Sequence, residues 1–149
     1  MLIENIKIIG EVSIKVLDKD GNIVDSREIP NLVVTSGKTF IAASMLKTTS
    51  NSPVAMTHMA VGTSGTAPAA GDTVLGGEVG RVAFGSASSS ANVVTYTATF
   101  PAGTGTGALQ EAGIFNAASA GTMLCHTTFG TVTKGASDSM AITWTITVS

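Results

Sequence analysis

The sequence predicts a mainly β chain, an antiparallel β-sandwich or distorted barrel with one short α-helix at about residues 36–47. Three observations support this. Apolar and polar residues alternate in several short runs, most clearly from Ile6 to Val16 and from Met140 to Val148. Clusters of Gly, Asn, Asp, Pro and Ser separate those runs, and only one segment carries apolar residues at helical spacing. Alternation sends successive side chains to opposite faces of a strand, as a sheet with one face in a core requires.

In the first run Ile6, Ile8, Val12, Ile14 and Val16 share a face, with Lys7, Glu11, Ser13 and Lys15 between them. Asp18-Lys19-Asp20-Gly21-Asn22 supplies a tight reversal, and Ile23 to Asp25 begins the return strand of a hairpin. Pro30-Asn31 punctuates that return, and Leu32 to Val34 forms a short buried stretch. Thr35 or Ser36 caps a helix whose Phe40, Ile41, Ala43 and Leu46 fall near one face, with Lys47 at its C-terminal end. Thr48 to Pro53 reads as a loop and Met56 to Thr63 as a strand.

Ser64 to Asp72 is rich in Gly, Ala and Pro, which predicts an extended surface loop, followed by a short turn between Asp72 and Glu78. Arg81 to Gly85 and Asn92 to Phe100 read as strands joined by a flexible linker, Ser86 to Ala91. Ala102 to Gly107 alternates Gly with small residues, implying mobility or close backbone contact. Strands follow near Gln110 to Phe115 and Thr122 to Phe129, joined through Asn116 to Gly121. In the last strand Met140, Ile142, Trp144, Ile146 and Val148 oppose Ala141, Thr143, Thr145 and Thr147. So apolar a strand is expected to be central in its sheet or covered by a neighbouring subunit.

Residues 1–149 fit one domain, large enough to bury about two thirds of the unfolded surface without metals or disulfides. A single cysteine, Cys125, excludes an internal disulfide and favours a reducing cytoplasm as the site of synthesis. No apolar stretch approaches the length of a membrane span, and neither a signal peptide nor an allowed Asn-x-Ser/Thr acceptor is expected. Net charge is −2 with scattered basic residues, an arrangement that argues against nucleic acid or an anionic membrane as partner. Charged residues form 12% of the chain, about half the usual share. Of the 18, 11 precede residue 39, so much of the C-terminal half is uncharged surface or hidden surface.

Little points to chemistry. Asp18, Asp20 and Asn22 have the alternate spacing that opens a calcium loop, but flanking strands and a missing distal Glu make this a hairpin turn. Cys125 and His126 point to opposite faces of a strand and share no metal readily, while His58 is sequentially remote from Cys125. Gly62-Thr63-Ser64-Gly65-Thr66 lacks the Lys and the helix of a phosphate loop. The six acids before residue 29 are interleaved with Lys and Arg as a solvated face, and the chain has one Trp and one Tyr, too few for sugar platforms. No catalytic, cofactor-binding or metal-ligating residue is assigned, and no enzyme activity is expected. Glu78, Arg81, Glu111 and Trp144 remain as structural or interface candidates. Glu78 and Arg81 are spaced to pair, Arg81 and Glu111 can meet between strands, and Trp144 belongs to a core or an interface.

Several segments, taken in order, resemble small virion proteins of tailed bacteriophages. They are Asn31 to Gly37, Met59 to Thr63 with Ala67-Pro68, Asp72 to Leu75 with Glu78 and Arg81, Glu111 to Asn116, Gly121 to Leu124, and Ile142 to Ile146. The resemblance spans nearly the whole chain. It implies a capsid decoration (cement) protein, or a tail-fibre or baseplate module engaged in host-surface recognition, and carries no catalytic residues. The chain has neither a coiled-coil shaft nor a fibrous repeat, which suits a knob on a shell better than a fibre. The expectation is a homotrimer that bridges major capsid protein subunits on the outside of the head, made in the host cytoplasm and located on the virion.

Overall fold

The structure is a computed structural model that describes residues 3–46 and 52–149. It contains β1 (Ile8–Leu17), β2 (Ile23–Val33), α1 (Thr35–Leu46), β3 (His58–Gly62), β4 (Glu78–Ala83), β5 (Ser86–Ser90), β6 (Val93–Phe100), β7 (Gly107–Phe115), β8 (Met123–Lys134) and β9 (Ser139–Val148). The nine strands form one curled antiparallel sheet, a half-barrel, in the order β4-β3-β7-β8-β2-β1-β9-β6-β5. The mainly β class with one helix is borne out.

The first hairpin forms because its turn satisfies itself. The Asp18 carboxylate accepts the backbone N–H groups of Asp20 and Asn22, both at 2.9 Å, and Gly21 supplies the positive φ of 83°. Those N–H groups hold the Asp18 carboxyl below its ordinary range. β2 does not stop at Pro30. It continues to Val33, facing β1 along its first part and β8 through Leu32 and Val33, so one strand bridges the two halves of the sheet. Ile6, expected inward, is exposed, whereas Val12, Ile14 and Val16 are buried.

β9 lies between β1 and β6 and pairs with both along its length. Its Met140, Ile142, Trp144 and Ile146 are buried with Val12, Ile14, Phe100, Leu109 and Ile114 in the main core, and Val148 is exposed. The strand is therefore central within its own chain. Segment 86–91, expected as a flexible linker, is instead β5 from Ser86 to Ser90, an exposed edge strand paired with β6. Serine carries little strand preference, so the pairing with Val93 to Thr97 imposes the extended form. β8 also outruns its expected end at Phe129, reaching Lys134.

The helix forms as expected, but its start is secured differently. The Ser36 hydroxyl donates to the Met123 carbonyl at 2.7 Å instead of capping a helix N–H. A Cβ on Gly37 would collide with the Leu124 carbonyl, so glycine lets the helix lie directly on β8. Phe40, Ile41 and Ala43 are half-buried, but Leu46 is exposed. Lys47 and the first part of the expected loop, 48–51, lie outside the described residues. The expected close contact at 102–107 is present: Gly105 adopts a φ of 62°, and its Cα lies 2.7 Å from where a Gly80 Cβ would stand.

A second apolar cluster, Val34, Ala60, Leu75, Phe115 and Met123, sits on the other side of β3, β7 and β8. Residues 63–77, the strap between β3 and β4, supply its Leu75. This second cover explains why β3 and much of β7 and β8 are buried on both faces.

Candidate functional site, the clasp beneath the strap

The strap is pinched at its neck, where the Thr63 N–H donates to the Gly77 carbonyl at 3.0 Å. Compact loops with touching ends depend on their own internal contacts for shape. Under this neck sits Glu111, 1% exposed. Its Oε1 accepts the backbone N–H groups of Gly77 at 2.6 Å and Ser64 at 3.3 Å, and its Oε2 accepts that of Gly76 at 2.9 Å. A carboxylate holding several backbone N–H groups is an anion in a nest of donors, so its burial is compensated. Glycine is required around it. A Cβ on Gly62 would run into Glu111, and one on Gly76 would stand 2.7 Å from the Ser64 side chain.

Local sheet geometry aims Glu111 outward. Leu109, Ala112 and Ile114 of β7 all belong to the main core, and the odd interval between Leu109 and Ala112 breaks simple alternation. The register with β8 shifts between Leu109 and Glu111, which supplies the change of phase. Such irregularities re-aim a side chain without ending the strand.

His126 completes the clasp. Its Nε2 lies 3.0 Å from Glu111 Oε2, and its Nδ1 lies 2.7 Å from Asp72 Oδ2 on the strap. Asp72 also accepts the Ala69 N–H at 2.8 Å. That N–H, together with His126, holds the Asp72 carboxyl below its ordinary range against the opposing effect of burial. A cleft of about 370 Å³ opens beside these groups, bordered by Ser64, Thr66, Val74 and Leu75. With both ring nitrogens engaged by carboxylates, His126 has no free nitrogen for proton abstraction or metal ligation in this arrangement.

The sequence candidates fall into separate places. Glu78 and Arg81 do pair, at 2.8 and 2.7 Å through two guanidinium nitrogens. Arg81 lies 3.8 Å over the Phe115 ring and donates to the carbonyls of Ala117 and Ala120 at 3.0 and 2.9 Å. It thereby fixes the β7–β8 turn, where Ala120 takes a positive φ of 52°. Glu111 is held by His126 and backbone N–H groups, and Arg81 by Glu78, so the alternative pairing of Arg81 with Glu111 does not form. Trp144 is fully buried in the main core, and its indole N–H has no partner among the described residues.

Cys125 is buried in the main core, and burial pushes its thiol far above the ordinary range. His58 is engaged by the Thr57 hydroxyl at 2.7 Å. Among the described residues no group of His, Cys, Asp and Glu is arranged to hold a metal ion, and no helix is long and apolar enough to cross a membrane. Comparisons with protein-family models, with curated proteins and with solved structures find no match.

The sequence did not reveal the roles of His126 and Asp72. They stand 54 residues apart, and neither belongs to a local motif. The available signal was the scarcity of charge. From residue 52 onward the charged residues are Asp72, Glu78, Arg81, Glu111, Lys134 and Asp138. Each is held internally: Lys134 donates to the Pro101 carbonyl at 3.0 Å, and Asp138 accepts the Gly135 N–H at 2.7 Å.

Proposed function

We infer that this chain is a structural protein of a tailed-phage particle, a capsid decoration (cement) protein that binds the outside of the head. It bridges major capsid protein subunits as a homo-oligomer, a trimer, and performs no catalysis. The observation that carries this reading is the disposal of charge. Every charged side chain from residue 52 onward is tied into an internal bond, while the solvated charges concentrate on the β1–β2 hairpin near the middle of the sheet. The outermost strands are thereby left neutral or ion-paired.

β5, Ser-Ala-Ser-Ser-Ser, is exposed throughout and carries none of the lysines, prolines or inward charges that guard an open edge. A neutral edge of backbone N–H and C=O groups suits association with other protein by strand addition. Interfaces between proteins are likewise depleted in charge at their centres. The segments that resemble phage virion proteins include Asp72 and Glu111, the two carboxylates of the clasp, and the ion pair of Glu78 with Arg81, whereas His126 lies outside them.

Cryo-microscopy of purified virions, with the solution mass of the isolated protein, tests the reading. Density for this chain on the capsid exterior and a trimeric mass are expected. A position only on the tail would replace the cement role with that of a tail-fibre or baseplate module, and absence from particles would sink both.

A further inference from the structure

We propose that the unpaired edge of β5 accepts residues 3–6 of a second copy of this chain as an added strand, with one isoleucine of that segment entering the apolar cleft between α1 and the sheet. The inference rests on the reading of β5 as an association edge and names its partner.

Both halves of the contact are present on every copy. β5 pairs with β6 alone and is exposed along its length, so the backbone groups on its other side meet no protein among the described residues. β4, the strand at the other end of the sheet, packs against β6 and carries the Glu78–Arg81 pair, which makes it the guarded end. Residues 3–6 run ahead of β1 without secondary structure, and among the described residues their backbone makes no hydrogen bond. Pairing begins only at Lys7, which exchanges backbone bonds with Ser149 at 2.7 and 2.8 Å. Ile3 is 73% exposed and Ile6 70%. A segment with bare backbone groups and bare isoleucines is what an open edge strand binds.

The cleft supplies the side-chain pocket. It holds about 210 Å³ between Val94, Tyr96 and Ile146 of the sheet and Phe40, Ile41 and Ser44 of α1, and no charged side chain borders it. This is smaller than the roughly 300–1,000 Å³ of small-molecule pockets and suits an aliphatic side chain. Ala87 and Ser89 of β5 pair with Tyr96 and Val94 and share their face, so their small side chains leave the cleft open toward an added strand. Ile3 and Ile6 fall on opposite faces of an extended segment, so one enters the cleft and the other lies on the outer face. The one charge of the segment, Glu4, meets no acid on β5 or around the cleft.

Distance assigns the segment to another copy. The slot beyond β5 lies four strand spacings from β1, about 19 Å along the sheet. Residues 3–6 span at most about 14 Å when fully extended, so they cannot run beside β5 of their own chain. A contact in which one copy gives the segment and another receives it joins two different surfaces and closes into a ring.

Sedimentation of the intact protein and its variants reads the contact. The natural protein is expected to sediment as an oligomer. The double variant Ile3→Asp, Ile6→Asp on the giving side, and Ser89→Lys or Ser44→Phe on the receiving side, should each raise the concentration at which it dissociates by about tenfold or more. Circular dichroism should show the Ser89→Lys protein folded, since that residue is exposed. Oxidising a mixture of Ile3→Cys and Ser89→Cys copies tests the site itself, because the native Cys125 is buried. A covalent dimer with one copy of each is expected, and a mixture of Lys19→Cys with Ser89→Cys, its first cysteine moved to the β1–β2 turn, should give far less. A monomeric mass, dissociation unmoved by the isoleucine and Ser89 variants, or equal cross-linking from both mixtures would overturn the proposal. Microscopy of virions reads the cement role separately: a chain found on the capsid exterior whose mass ignores these variants loses this contact and keeps that role.

Discussion

Replacing Glu111 by glutamine removes a charge while keeping the shape of the side chain, and the hydrogen bonds around the carboxylate set the cost. The carboxylate accepts three backbone N–H groups, from Ser64, Gly76 and Gly77, and faces His126 Nε2. Glutamine keeps one acceptor oxygen. Placed at Oε1 it still receives Gly77 and Ser64, but through neutral bonds about half as strong. Its NH2 group then points at the Gly76 N–H, leaving that donor unpaired at a cost of about 1–3 kcal/mol. His126 can answer by turning a lone pair to the new NH2 and keeping its Nδ1–H for Asp72, so the fourth contact is weakened and not lost.

The total is a destabilisation of about 2–4 kcal/mol. Urea unfolding followed by circular dichroism is the assay. With slopes of about 1–3 kcal/mol per molar for small domains, the midpoint should fall by roughly 1–3 M at unchanged slope. A loss below about 0.5 kcal/mol, the level of ordinary surface substitutions, would mean that Glu111 does not hold the strap.

Trp144→Ala should cost about 3–5 kcal/mol by chemical denaturation, as for other large core aromatics, whereas Trp144→Phe should cost less because it also removes an indole N–H with no partner. Gly105→Ala should lower the melting temperature, since a side chain there is strained at a φ of 62° and its Cβ would press on Val61 and Phe100. The depressed carboxyl of Asp72 contributes stability that is complete above its ordinary value of 3.8 and is lost as the pH falls through its lower folded value. Acid unfolding of Asp72→Asn should lack that component. Cys125 should resist iodoacetamide in the folded protein and react on unfolding, and rapid native labelling would contradict its burial.

How much of this was legible in the sequence depends on where the signal resides. The β1–β2 hairpin and β9 were plain because alternation and turn chemistry are local, and the helix was plain because Phe40, Ile41 and Ala43 repeat at its period. β5 was not, since a run of serines acquires its extended form only from the strand beside it. The clasp was half visible. Glu111 stood out as a rare charge, but its partners are mainly backbone N–H groups of the strap, which leave no side-chain trace in a sequence. Arg81 was a cation within reach of either acid, and sequence spacing left both pairings open. The fold chose Glu78 because Arg81 also stacks on Phe115 and reaches the Ala117 and Ala120 carbonyls.

The placement of β9 also governs when this protein can fold during its synthesis. β1 and β6 are both made before β9, yet each needs β9 as a ladder partner. Until residue 148 has left the ribosome, the β9-facing sides of both strands stay unpaired, and Val12, Ile14 and Phe100 lack the indole and aliphatic chains that cover them. Pairing strands so far apart in sequence is slow and leaves sticky intermediates meanwhile. A nascent chain stalled before Met140 should therefore be protease-sensitive in β5 and β6, which join the rest of the sheet only through β9, while the β7–β8 pairing can already form.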